Sequence, residues 1–174
     1  YEGAGKMVSM LAKFFRISLS QGKDIIPLQK ELEHAVSYLS IQNVRFQDKF
    51  TFTVDWDEKL ADCLCPKLVI QPLLENAVYH GMEGMYEDGE IQLKIYAVNE
   101  LVHIDVIDNG EGMTEAQVQK MMQGDVVSSK RGSGIGVKNV NDRIKLYFGE
   151  AYGVQIISAP DEGTTARIYF PMRR

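Results

Sequence analysis

Asp108 closes a run from Leu101 in which Val102, Ile104, Val106 and Asp108 fall on one face at period two. The first three are apolar, so the pattern carries a carboxylate to a position that should face the core. A buried acid is costly unless it meets a donor. Gly110 and Gly112 follow at once and free the backbone to turn sharply or to lie close to something flat. Strand, inward carboxylate and Gly-x-Gly suit a floor that accepts a hydrogen bond from a ligand's amino group. A tight turn with an Asx cap would give the same segment.

Two further groups have chemistry in reach. In the stretch from Pro66 to Gly81, Val69, Leu73, Asn76 and His80 share one helical face, and Ile70, Leu74, Ala77 and Gly81 form the adjoining core stripe. An Asn in this apolar setting, preceded by Glu75, is poorly explained by packing; its carboxamide oxygen suits Mg²⁺ or phosphate positioning. A solvent-facing Asn76 and a locally satisfied His80 are the plainer alternatives. The third group is Gly132-Ser133-Gly134-Ile135-Gly136-Val137, which leads into a helix. Free N–H groups at a helix start, with no side chain in the way, suit an anion such as phosphate. The loop matches neither the dinucleotide fingerprint nor the P-loop, and Asp108 to Gly112 fails the EF-hand spacing.

The elements that must position these groups follow from periodicity. Helices are predicted from about Ala4 to Leu19, from Pro27 to about Phe46, over Pro66 to Gly81, from Thr114 to about Met122 and from about Gly136 to Phe148. Gly22 is placed to end the first, which makes the first two a hairpin whose spare apolar face should meet another domain or chain. Strands are predicted at Phe50 to Val54, Ile91 to Ala97, Val102 to Asp108, Val154 to Ser158 and Thr165 to Phe170, with Asn99-Glu100 as a two-residue hairpin turn. Gln123 to Ser133 has no apolar period and reads as a loop. Hairpin-joined strands with helices inserted as blocks give an α+β class: a two-layer sandwich on a mixed, mostly antiparallel sheet, preceded by the helical hairpin.

The 174 residues, 45% hydrophobic and 25% charged, suit one good core with an appendage. A net charge of −5 and a pI near 5.2 exclude nucleic acid as the main partner, since phosphate binding needs a basic surface. Cys63 and Cys65 lack companions for a zinc set and read as reduced cysteines of a cytosolic protein. No apolar run approaches the roughly 18 residues of a membrane span. Beginning at Tyr1 and not Met, the chain is expected to be a fragment.

Each group alone is weak, but their order resembles the ATP-binding domain of sensor histidine kinases, within the GHKL (Bergerat-fold, HATPase_c) family that also includes gyrase-type, Hsp90-type and MutL-type ATPases. Leu74 to Gly81 resembles its N box, Asp108 to Gly112 its G1 box, Gly132 to Gly136 its G2 box, and Gly163-Thr164-Thr165 its terminal Gly-Thr element. Gln71 to Ala77, Gly136 to Ile144 and Leu28 to Phe46 are similar to the YesM/LytS-type branch. The resemblance implies that Asp108 accepts from the adenine amino group, with Thr165 and a water, and that Gly110 and Gly112 allow the ring to approach. It implies that Asn76 ligates Mg²⁺ and that His80 and Gly81 edge the pocket. Gly132, Gly134, Ile135 and Gly136 become the phosphate loop, with Gly124 to Arg131 as a lid from which Lys130 or Arg131 reaches the terminal phosphates.

The implied activity is transfer of the ATP γ-phosphoryl to a histidine, with ATP and Mg²⁺ as cofactors. The implied partners are a second kinase subunit, a response regulator and, through segments outside this chain, a membrane. Residues 1–48 become the end of the dimerisation and phosphoacceptor region, and residues 49–174 the catalytic domain. Where the family's ATP hydrolases place a water-activating Glu one turn before the Asn, this chain has Pro72; Glu75 is the acid that remains, and transfer to an acceptor other than water fits better. The branch's acceptor His, in an Asn-Pro-His-Phe-type segment, is expected upstream of Tyr1, since neither His34 nor His103 has that context. The rival readings are an ATPase or serine (anti-sigma-factor) kinase of the same fold, and a non-enzymatic interaction module with a degenerate pocket.

Overall fold

The computed structural model describes residues 2–19, 24–47, 49–81, 88–124 and 135–174. In chain order the elements are α1 (Glu2–Leu19), β1 (Ile25–Pro27), α2 (Leu28–Arg45), β2 (Phe50–Trp56), β3 (Leu64–Pro66), α3 (Ile70–Asn76), β4 (Gly89–Val98), β5 (Leu101–Asp108), α4 (Glu115–Met122), α5 (Ile135–Phe148), β6 (Gly153–Ser158) and β7 (Thr164–Pro171). Five strands form one sheet in the order β2-β4-β5-β7-β6, antiparallel throughout except for the parallel β2–β4 pair. This is the α+β sandwich with the mixed sheet that the hairpin-joined strands predict.

Period-two alternation sends Ile91, Leu93 and Ile95 of β4, Val102, Ile104 and Val106 of β5, and Ala166, Ile168 and Phe170 of β7 to one face. The helices cover that face: Leu28, Leu32, Ala35 and Leu39 of α2, Ile70, Leu73 and Leu74 of α3, and Val137, Val140 and Ile144 of α5 join the same core. The boundary expected at 48–49 falls between α2 and β2, yet the inner face of α2 shares the sheet's core. The other face carries polar groups, among them Asp105, which holds the Arg167 guanidinium at 2.8 and 3.1 Å and the Tyr96 hydroxyl at 2.7 Å. Cys63 and Cys65 are free thiols with no exposure at all. Among the described residues no helix is long and apolar enough to cross a membrane.

One predicted helix is shorter than its pattern. Pro66 ends β3, which pairs antiparallel with β1 through Ile25↔Pro66, and Leu68 takes a left-handed φ of 61°. The α-helix therefore begins only at Ile70, and after Asn76 it widens into a π-helical turn over Ala77–Gly81. The turn at Asn99-Glu100 is as predicted, with Asn99 at φ 55°. Gly22, named as a helix-ending residue, lies outside the described residues.

Candidate nucleotide-binding site

The candidate site lies where the C-terminal end of β5 meets α3. Asp108 is 8% exposed and continues the inward face of β5, as its spacing predicts. Its Oδ1 accepts the Gly110 N–H at 2.9 Å. Burial raises its pKa to about 6, against the opposing pull of the Gly110 and Thr164 backbone N–H groups. Asn76, at the end of α3, and Asp108 line one cleft together with Gly112 and Thr164. The rest of that cleft is apolar, lined by Leu73, Ala77, Val106, Met113, Met121 and the cross-strand pair Ile156 and Ala166. An apolar slot with a few convergent polar groups is what a flat heterocycle with one polar edge requires.

The loop after Asp108 is tied down on both flanks. Asn109 Oδ1 accepts the Glu90 N–H at 2.8 Å, and its Nδ2 donates to the Asp88 carbonyl at 3.0 Å. Ser158 Oγ accepts the Met113 N–H at 2.8 Å and donates to the Gly163 carbonyl at 2.9 Å, with Thr164 Oγ1 2.8 Å away. Thr114 and Gln117 then form a capping box that starts α4. Gly112, at φ 72°, has no room for a Cβ: it would lie 1.9 Å from the Ala159 carbonyl oxygen. Its lack of a side chain is thus used against the β6–β7 hairpin, although the residue does line the cleft.

Other predicted site residues are placed as follows. Thr165 pairs with Ile107 and points to the opposite face of the sheet, so the threonine at the cleft is Thr164, opposite Asp108. Counting inward positions back from Phe170, Ile168 and Ala166 reaches Thr164, and that parity was the available signal. Glu75 is not in the cleft: its carboxylate accepts the Gln71 Nε2 at 2.9 Å, and its charge lies beside Tyr38 of α2. The structure does not bring it to Asn76's side of the site, because neighbouring helical positions diverge by about 100°. Gly110 is buried beside Asp108. Gly136 lies in the first turn of α5, where a Cβ would come within 3.3 Å of Pro72 Cβ. Gly81 and the backbone of His80 belong to the π-helical turn beyond Asn76, and Ile135 opens α5. The side chains of His80 and Ile135 lie outside the described residues, as do Lys130, Arg131, Gly132 and Gly134 and, apart from Gly124, the expected lid.

Ser158 is a site neighbour that no motif marks, and Asn109 and Gly163, which lie in motifs without an assigned role, prove to be supports of the Asp108 loop. Gly163, at φ 76°, sits so close to β5 that a Cβ would lie 2.2 Å from the Asp108 carbonyl oxygen. A lone Ser at a strand end carries no sequence signal of its own.

Among the described residues there is no group of three His, Cys, Asp or Glu side chains able to hold a metal. Of the oxygen-bearing side chains that line the cleft, Asp108 is engaged by the Gly110 N–H, and the Asn76 carboxamide suits a hard cation that takes its remaining ligands from phosphate and water.

Comparison with known proteins gives two family matches: "Histidine kinase-, DNA gyrase B-, and HSP90-like ATPase" over residues 62–174 and "Histidine kinase" over residues 1–50. Sensor histidine kinase YesM of Bacillus subtilis is 38% identical over 168 residues, which is 97% of this chain and 28% of that protein. Sensor protein LytS of Bacillus anthracis is 32% identical over 173 residues, 99% of this chain and 29% of its own length. The chain therefore spans under a third of the curated relatives it matches. The fold is shared with the histidine kinase domain of the Erythrobacter litoralis EL346 blue-light activated kinase, at TM-score 0.60 and 18% identity over 99% of this chain and 76% of that one. The catalytic domain of histidine kinase ThkA matches at TM-score 0.64 and 16% identity, covering 85% and 96%.

Proposed function

The chain belongs to the histidine kinase-, DNA gyrase B- and HSP90-like ATPases, and from that premise we propose that residues 49–174 bind Mg²⁺-ATP and pass its γ-phosphoryl to a histidine elsewhere in a longer sensor kinase. The observation that carries this reading is the pairing, in one apolar cleft, of a buried Asp108 with Asn76. Asp108 accepts from the exocyclic amine of adenine, and Thr164 stands beside it. The aliphatic and Met side chains hold the ring, and the first turn of α5 offers its free amides to the phosphates. Asn76 Oδ1 would hold Mg²⁺, which when bound would supply neutralisation of phosphate charge.

In the transfer, an imidazole nitrogen bonds to the γ-phosphorus as the bond to the bridging oxygen breaks, and ADP leaves with that electron pair. Such a loose transfer asks for positioning and charge neutralisation, not for a water-activating acid. Pro72 stands where that acid is found in the family's hydrolases, which supports transfer over hydrolysis. Glu75 lies outside the cleft and holds Gln71, so its proposed part is to brace the helix that carries Asn76.

Residues 1–48 are proposed as the end of the dimerisation region; Val8 and Leu11 of α1 are exposed and available to a second subunit. A response regulator is the proposed onward acceptor, and other segments of the longer protein the membrane anchor. The test is calorimetric titration with ATP, with and without Mg²⁺, of the chain and of Asn76→Asp. The chain should bind ATP more tightly with Mg²⁺, and the substitution should alter chiefly that metal-dependent gain. Absence of ATP binding would favour the interaction-module reading, and equal losses with and without metal would remove Asn76 from its role.

A further inference from the structure

The first turn of α3 is not capped from within. Val69 stands at its N-cap, and its side chain makes no capping bond. The cap comes instead from α2, 37 to 39 residues earlier: Glu31, 1% exposed, accepts the N–H groups of Leu68 at 2.9 Å, Val69 at 2.9 Å and Ile70 at 3.0 Å. The carbonyls of the same turn are held from a third helix. Arg143 of α5 donates Nη2 to Lys67 O at 2.7 Å and a longer Nη1 contact to Leu68 O at 3.4 Å. Residues 67–70 are thus clamped between a carboxylate and a guanidinium of opposite charge, each on its own helix.

The clamp carries two costs that a simple cap would avoid. A carboxylate is withdrawn from water, which is unfavourable unless its oxygens are fully used. Leu68 is held left-handed at φ 61°, about 1–2 kcal/mol above the right-handed form. A Ser or Asp at the N-cap could reach only the Gln71 amide, since Pro72 at the next position has no N–H, and would leave uncapped the three amides that Glu31 takes. What the long-range arrangement adds is a rigid connection. α3 is only seven residues long, so the clamped Ile70 lies about 9 Å along the axis from Asn76. Its far neighbour is α5, whose Gly136 lies against Pro72. A shift of α2 along its axis would pull directly on the amides that begin α3.

We propose that Glu31, with Arg143, is a positioning residue for the nucleotide site, fixing Asn76 and the start of α5 to α2, the helix that leads back towards α1. The proposal rests on the reading of Asn76 as the oxygen donor to Mg²⁺. Glu31→Gln keeps size and one acceptor oxygen but turns the other towards the amides as a donor. Arg143→Lys keeps the charge and loses the two-pronged reach.

The test uses the whole chain at a temperature well below both variants' melting, with affinities for ATP measured with and without Mg²⁺. Glu31→Gln should weaken Mg²⁺-ATP binding about tenfold and metal-free ATP by no more than about twofold. Arg143→Lys should lower the same ratio about threefold, and it carries the test alone if Glu31→Gln does not fold. A purely structural role would lower the melting temperature and leave the ratio unchanged, which overturns the proposal. Asn76→Ala, which removes the oxygen donor outright, separates the two ideas. If it removes the metal-dependent gain while the clamp variants keep it, the clamp proposal fails alone. If it leaves that gain intact, the reading of Asn76 fails and the clamp proposal with it.

Discussion

Asp108 and Asn76 line the same cleft but owe their positions to supports of very different reach. Asp108 is held by its immediate surroundings in the sheet: the Gly110 N–H two residues on, the Thr164 N–H on the paired strand, and Asn109 and Ser158 bracing the loop. Asn76 ends a seven-residue helix whose start is held by Glu31 from α2 and Arg143 from α5. The first is set once β5, β6 and β7 pair. The second exists only where three helices meet. A cleft built this way has a fixed floor and a wall that registers the position of α2.

The comparison can be broken most directly at the floor. Asp108 uses its oxygens on backbone amides, so Asp108→Asn must keep its one carbonyl for them and turn its NH₂ towards the ligand. Donor then faces donor, and adenine-nucleotide affinity should fall by about 3 kcal/mol, roughly a hundredfold. Removing a buried charge should leave the unliganded melting temperature no lower than before. Calorimetry and thermal melting check both halves. Unchanged affinity would remove Asp108 from the floor.

A smaller effect, on stability, should separate the two regions through their glycines. Gly163→Ala puts a Cβ on the Asp108 backbone and forces a left-handed alanine, at a cost of about 2–3 kcal/mol, because backbone on both sides cannot yield. Gly136→Ala meets only the Pro72 side chain at 3.3 Å, and alanine's helix preference offsets that contact; its net effect should stay within about 1 kcal/mol. Denaturant unfolding of the two variants measures the difference. Equal losses would mean that the helical wall is as unyielding as the floor.

The same contrast explains what could be read in the sequence. The floor was legible because strand periodicity and nearby glycines are local signals, and Asp108 breaks an apolar series in plain view. Even there parity matters: Thr164 and Thr165 are adjacent, and only the count from Phe170 tells that Thr164 faces the cleft. Asn76 stood out as a polar interruption in a helix. The start of that helix did not: Pro66 resembles a first-turn proline, but it ends β3, and the true start is fixed by a carboxylate about forty residues away, for which a local pattern has no sign. Glu75 is the acid next to Asn76 in sequence, but a helix turns adjacent side chains apart, and only the structure shows that its carboxylate meets Gln71.

The gentlest test of the floor is pH. Asp108 has its pKa raised from 3.8 to about 6 in the folded protein, burial being the main cause. The folded state therefore holds this proton more tightly than the unfolded chain. The group's contribution to stability is fully present below about pH 3.8 and is lost as pH rises through about 6, a span worth about 3 kcal/mol. On the proposed contact, binding has the opposite sign, since the carboxylate accepts from the adenine amine and the carboxylic acid, with one oxygen protonated and the other on backbone amides, does so poorly. Adenosine serves as the probe because it has no phosphate that titrates in this range. Its affinity should weaken about fourfold between pH 7.5 and 5.5, while the unliganded protein gains just under about 1 kcal/mol from this one residue. In Asp108→Asn both dependences should flatten. If the wild-type affinity is level across that range, the carboxylate does not meet the ligand, and the floor's local supports serve the fold alone.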